Sequence, residues 1–142
     1  MRTLIILLVF GLTSKTLAQT GKVFKGTLNN SIKITLYLQD LEKGTNADPV
    51  IGAYKYDNQK GYLLLNGYRN TGGNIILIEQ STPNFSGIFF GLLSVNQISG
   101  KWTSANQMLS YPFKIVAIRA DKAQIKQFQD AITNKANEFR NY

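Results

Sequence analysis

The residues best equipped for chemistry in this chain are Tyr54, Tyr56, Glu79 and Trp102. Glu79 ends the apolar run N-I-I-L-I-E, and strand alternation places it on one face with Ile75 and Leu77. A carboxyl in such company either keeps its proton or finds a partner, with Arg69 and Arg119 as the candidate cations. Tyr54, Tyr56 and the single tryptophan, Trp102, are amphipathic rings of the kind that line sugar and small-ligand sites. They are also ordinary strand residues, favoured there by packing. A glycosidase would need a second carboxylate within about 5–10 Å of Glu79. Asp57 is the nearest by strand order, and it sits in a turn. The plainer reading of Glu79 is a strand-end carboxylate bonded to tyrosine, arginine or backbone. The four residues are therefore expected to bind a ligand, and no catalytic residue is assigned.

The chain has no cysteine and no histidine. That removes a thiol nucleophile, a Ser-His pair, an imidazole base and the usual zinc or copper sites. The segment 39–48 carries Asp40, Glu42, Asn46 and Asp48, hard oxygen ligands of the type calcium takes. The EF-hand pattern fails there: Gly44 comes one position early, and Ile51 stands where the bidentate glutamate belongs. No metal and no cofactor is expected, and the chain is read as non-enzymatic. Basic residues number 16 against 8 acidic ones, a formal charge of +8, spread rather than clustered. This favours weak attraction to anionic polymers or membrane surfaces and no specific binding of nucleic acid. Asn-x-Ser sequons begin at Asn29 and Asn84.

These residues need a scaffold, and the pattern of the chain predicts a sheet. Residues 1–18 read as a signal peptide: Arg2, an apolar run from Leu4 to Leu12, and a small-residue cleavage site before Gln19. The run is shorter than the roughly 20 apolar residues of a membrane span. The protein is therefore expected to be exported, periplasmic or extracellular, as one domain over 19–142 without a transmembrane segment. Eight strands are predicted between about 22 and 118. The second, 31–38, alternates most cleanly, with Ile32, Ile34, Leu36 and Leu38 inward and Lys33, Thr35 and Tyr37 outward. Asn29-Asn30 makes a tight turn before it. A turn at Asn66-Gly67 competes with one over Arg69 to Gly73, and the glycine-rich second site is preferred. The stretch 84–103 forms a hairpin with Gly87, Gly91 and Gly100 inside its strands, as the corners of a small closed barrel require. Its first strand is apolar on both faces, so it is expected to be covered on both sides or central in a strongly bent sheet. Pro112 marks a bulge or an edge in the last strand. A helix follows over about 121–140, capped by Asp121, with Ile125, Phe128, Ile132, Ala136 and Phe139 on one face.

The expected fold is all-β: an eight-stranded antiparallel up-and-down barrel with a C-terminal α-helix. Such a barrel is filled by side chains or holds one small ligand. Ala53, Gly67, Gly87 and Gly91 facing inward would leave space; Phe85, Phe89 and Leu63 facing inward would fill it.

The order of short motifs resembles that of small exported bacterial β-barrel proteins of unknown function. It runs G-x-Y-x-Y (Gly52, Tyr54, Tyr56), L-x-G (Leu65, Gly67), I-x-L-I-E (Ile75, Leu77, Glu79), G-x-F-x-G (Gly87, Phe89, Gly91), I-x-G-x-W (Ile98, Gly100, Trp102) and P-F (Pro112, Phe113). More broadly the chain resembles calycin-like barrels, the lipocalins and avidins. Lipocalins carry G-x-W on the first strand, where this chain has Phe24-Lys25-Gly26. No ligand residues carry over. The leading expectation is a binding module for a small apolar or sugar-like ligand. The alternative is a structural or protein-interaction barrel with a filled core, acting through its surface or its helix.

Overall fold

The structure, a computed structural model, describes residues 21–44, 46–82 and 84–141. The expected signal peptide and its cleavage point lie outside these residues. Eight strands follow one another: β1 Gly21–Leu28, β2 Ile32–Asp40, β3 Asp48–Tyr56, β4 Leu63–Arg69, β5 Asn74–Ser81, β6 Asn84–Leu93, β7 Gln97–Ser104 and β8 Ser110–Ile118. The helix α1 spans Lys122–Phe139. Each strand pairs antiparallel with the next, and β8 returns to β1, with Phe113 opposite Leu28 and Ile118 opposite Val23. The sheet is a closed barrel and has no free edge.

The turns follow local chemistry. Asn29 and Asn30 adopt φ of 53° and 59°, the left-handed region that asparagine tolerates. Between β4 and β5, Gly73 takes φ 83°, and the Asn70 side chain accepts a bond of 2.9 Å from the Asn74 amide. Gly67 stays inside β4, opposite Leu77, and no turn forms at Asn66-Gly67. A side chain there would collide with the Ile76 carbonyl, so the two backbones can approach only because the residue is glycine. Pro112 causes no bulge. It lies just before the first β8–β1 pair, so its missing N–H costs that ladder nothing.

The lumen is packed by alternate residues of all eight strands, among them Leu36, Leu65, Leu77, Phe89, Ile98 and Ile115. Phe89 is fully buried at the middle, edge-on to Tyr54 at 5.4 Å and to Phe113 at 5.1 Å. A second apolar cluster lies outside the barrel, where α1 covers Val23, Tyr37 and Ala53 with Phe128. Tyr37 stacks on Phe128 at 5.8 Å, and Tyr62 meets the same ring edge-on at 5.3 Å. Burial raises the Tyr37 phenol pKa, against a lowering hydrogen bond from Gln129. Asp121 caps α1, accepting a bond of 2.7 Å from the Gln124 amide.

Ala53 faces α1 rather than the lumen, and its small side chain leaves room for Phe128. Phe85 points outward and is 51% exposed. The strand β6 is not covered on both sides, because the single helix lies over β3 and β4 and leaves Phe90 and Leu92 in solvent. Of the outward set of β2, Lys33 is exposed, but Tyr37 is buried by α1 and Thr35 is buried with a bond of 2.6 Å to Asp57.

Phe128→Ala is expected to lose about 3–5 kcal/mol of stability in chemical denaturation, as for a ring removed from a core. Phe90→Ala, on the bare side, should stay within about 0.5 kcal/mol of the parent.

Candidate functional site

The barrel has two unlike ends. At the end carrying the β1–β2 and β3–β4 turns, the structure brings Tyr54, Tyr56, Glu79 and Trp102 together. Glu79 points into the lumen and is 3% exposed. The β5–β6 register shifts beside it: Glu79 lies opposite Gly87, but Gln80 lies opposite Phe85, which leaves Ser86 as the extra residue of a bulge. Ser86 Oγ donates to Glu79 Oε1 at 2.5 Å. The other carboxylate oxygen accepts from Tyr54 Oη and, at 3.0 Å, from Trp102 Nε1. Tyr56 Oη lies 3.4 Å from Tyr54 Oη. The indole occupies the space over Gly87, where any side chain would meet it, and stacks on Tyr111 at 5.8 Å.

Three neutral donors thus satisfy the buried carboxylate, and neither expected arginine takes part. Arg69 is held at the opposite end by Asp40. Burial first, then the charge of Glu79 and the bonds to Glu79 and Tyr56, push the Tyr54 phenol far above its ordinary pKa. It remains a donor across the working pH range. Asp57 is occupied by Thr35 and by Lys25, at 3.8 Å, and supplies no second carboxylate to this cluster. The arrangement organises the packed half of the lumen.

The opposite end is hollow. The segments 41–44, 70–73 and 93–95 surround a cavity of about 580 Å³. Its floor is apolar: Phe24, Leu38, Val50, Ile75 and Leu93. Its rim carries Lys22, Lys43 and Arg69 against Asp40 and Asp48. Arg69 Nε lies 3.0 Å from Asp40 Oδ1, and Lys43 Nζ lies 3.3 Å from Asp40 Oδ2. The Arg69 Nε is buried, yet no acceptor is aligned with its N–H, so the contact with Asp40 is an ion pair without a well-formed hydrogen bond. The Asp48 carboxylate accepts from the Gly44 amide at 3.3 Å.

The hollow has a simple cause. Tyrosine and tryptophan side chains enter the lumen only at the far end, while β4 offers Gly67 and β3 offers Gly52 between the middle and the mouth. None of Tyr54, Tyr56, Glu79 and Trp102 lines the cavity. The mouth residues escaped the sequence reading because they come from six strands and three loops. Alternation shows that Leu38, Val50 and Ile75 face inward, but it carries no information about depth along the barrel.

Glu79→Gln turns one acceptor into an amide donor facing Tyr54, Ser86 or Trp102. It should cost about 1–3 kcal/mol in stability and change the Trp102 emission, while leaving binding in the distant mouth unaltered.

No family model matches the chain, no curated protein matches it in sequence, and no solved structure matches it.

Proposed function

We propose that this protein is a non-enzymatic binding module that holds a small amphipathic molecule, apolar body inward, in the mouth of its barrel. The observation that carries this reading is the cavity of about 580 Å³ with an apolar floor, a size within the roughly 300–1,000 Å³ of small-molecule sites. The apolar arm of the expectation is favoured over the sugar-like one. Phe24 is the one ring among the described lining residues, whereas the tyrosines and the tryptophan that could stack on a sugar are packed at the other end. The rim adds a preference. Three cations against two carboxylates favour a ligand with an anionic head, received by Arg69. The calycin-like resemblance and export after cleavage near Ala18-Gln19 belong to the same proposal, and an eight-stranded barrel is just wide enough to hold one small ligand.

The test is calorimetric titration with dodecanoate and with dodecanol. Both should bind, and Val50→Trp, which fills the floor, should weaken both more than tenfold with the circular dichroism unchanged. Arg69→Gln should weaken dodecanoate about tenfold, the equivalent of about 1.4 kcal/mol, and leave dodecanol alone. Failure of both ligands to bind, or binding indifferent to Val50→Trp, would sink the proposal.

A further inference from the structure

The side of the barrel that α1 leaves bare has an unusual surface. Tyr68, Ile76, Ile78, Phe90 and Leu92 point outward from β4, β5 and β6 and are 56%, 38%, 39%, 61% and 51% exposed. They are contiguous. Tyr68 lies opposite Ile76, and Ile76 lies opposite Phe90, while Ile78 and Ile88 pair in the next row. A shallow groove of about 190 Å³ runs along Tyr68, Ile76 and Phe90. Single exposed apolar residues are normal, but a joined row across three strands marks a contact surface.

The charge on this side is just as one-sided. From Asn58 to Ala120 the sequence contains one acidic residue, Glu79, and that carboxylate is turned into the lumen. The outer wall from β4 to β8 therefore shows solvent no carboxylate at all. Its cations are Lys101, directly opposite Phe90 in the ladder, Lys114 on β8 and Arg119 just beyond it, all exposed. The remaining acids lie at the end of β2, in the β2–β3 segment, at the start of β3, in the turn after β3, and around α1.

We infer that the bare wall of β4–β6, with the lysines of β7 and β8 beside it, docks on an anionic lipid surface. Charge selects this occupant over a second copy, whose matching wall would bring cations and no carboxylate to meet them. The form of the wall agrees. The closed barrel offers no strand edge to pair with, and the row presents aliphatic and aromatic groups rather than directional polar ones. A fluid interface needs no such directional match. Tyrosine settles at headgroup depth, phenylalanine and leucine at the boundary of headgroups and acyl chains, and each cation near an anionic leaflet adds about 1 kcal/mol. The contact is peripheral. Lys25 and Lys33 are exposed on the outer face of the other half, so the apolar surface does not encircle the barrel. Among the described residues no helix is long and apolar enough to cross a membrane. The wall also borders the mouth: Leu92 faces out where Leu93 faces the cavity. The docking does not depend on that cavity being occupied.

The experiment is co-sedimentation with vesicles of phosphatidylcholine, with and without phosphatidylglycerol, using the chain from Gln19 onward, which holds the whole barrel and helix. The expected result is binding to the anionic vesicles at least tenfold tighter than to the neutral ones. Phe90→Ser with Leu92→Ser should reduce that binding at least tenfold, and so should Lys101→Ser with Lys114→Ser. Both pairs are on exposed positions and should keep the parent's circular dichroism and unfolding midpoint. Lys122→Ser with Lys126→Ser makes the same charge change on α1 and should have little effect. Three results would overturn the inference: no binding to either vesicle, equal losses from the two lysine pairs with none from the Phe90 and Leu92 pair, or a native mass spectrum showing a dimer that the Phe90 and Leu92 pair dissociates.

Discussion

The return of β8 to β1 is the constraint from which the other features follow. Once the sheet closes, every strand has one face inside a lumen of limited volume and one face outside. The lumen cannot admit a large side chain at each inward position. At one end Tyr54, Trp102 and Leu65 use the space, and Gly87 is the concession that lets the indole fit. At the other end the floor residues are aliphatic, with Phe24 the one ring among the described lining, the charged residues stand at the rim, and the space is left open. Filled and hollow halves are two results of one packing problem. The two sequence-level alternatives, a barrel with a cavity and a barrel with a filled core, are each realised in one half.

Glu79 shows what a polar group does in such a core. An unpaired carboxylate in the lumen would be costly, and this one draws a donor from β3, one from the β6 bulge and one from β7. Three strands are thereby tied at a single depth. Buried networks of this kind favour one register over a slipped one, because a slip by a single residue would turn the carboxylate out and leave the donors without their acceptor. The bulge at Ser86 belongs to the same device, since without the extra residue the hydroxyl would not reach the lumen side.

The outer surface is divided by the helix. One amphipathic helix can cover only part of a barrel, and α1 covers the part where Val23, Tyr37 and Ala53 are exposed by the strands. The rest of the wall must be compatible with water or with a partner. Along β1 and β2 it carries lysines, whereas along β4–β6 it carries isoleucine, phenylalanine, leucine and tyrosine. The apolar character of β5 and β6 on both faces therefore has two origins: the inward residues belong to the core and the outward ones to a bare surface.

How much of this was legible in the sequence depended on how local the cause was. Alternation in Ile32 to Leu38, the asparagine turn, the glycine loop before Asn74, the Asp121 cap and the helical face through Phe128 all act over a few residues, and each specified its element. Together with regular strand spacing they specified an eight-stranded meander and a helix. The absence of cysteine and histidine likewise removed whole classes of chemistry without reference to shape. Tertiary structure decided what periodicity does not encode. Depth along the barrel separates Glu79, with its tyrosines and tryptophan, from the open mouth, although all are inward-facing. The side on which α1 lies decides that Ala53 is covered while Phe90 is bare. Both depend on which distant residues share a volume, and a period of two along a strand reports only the face on which a side chain lies.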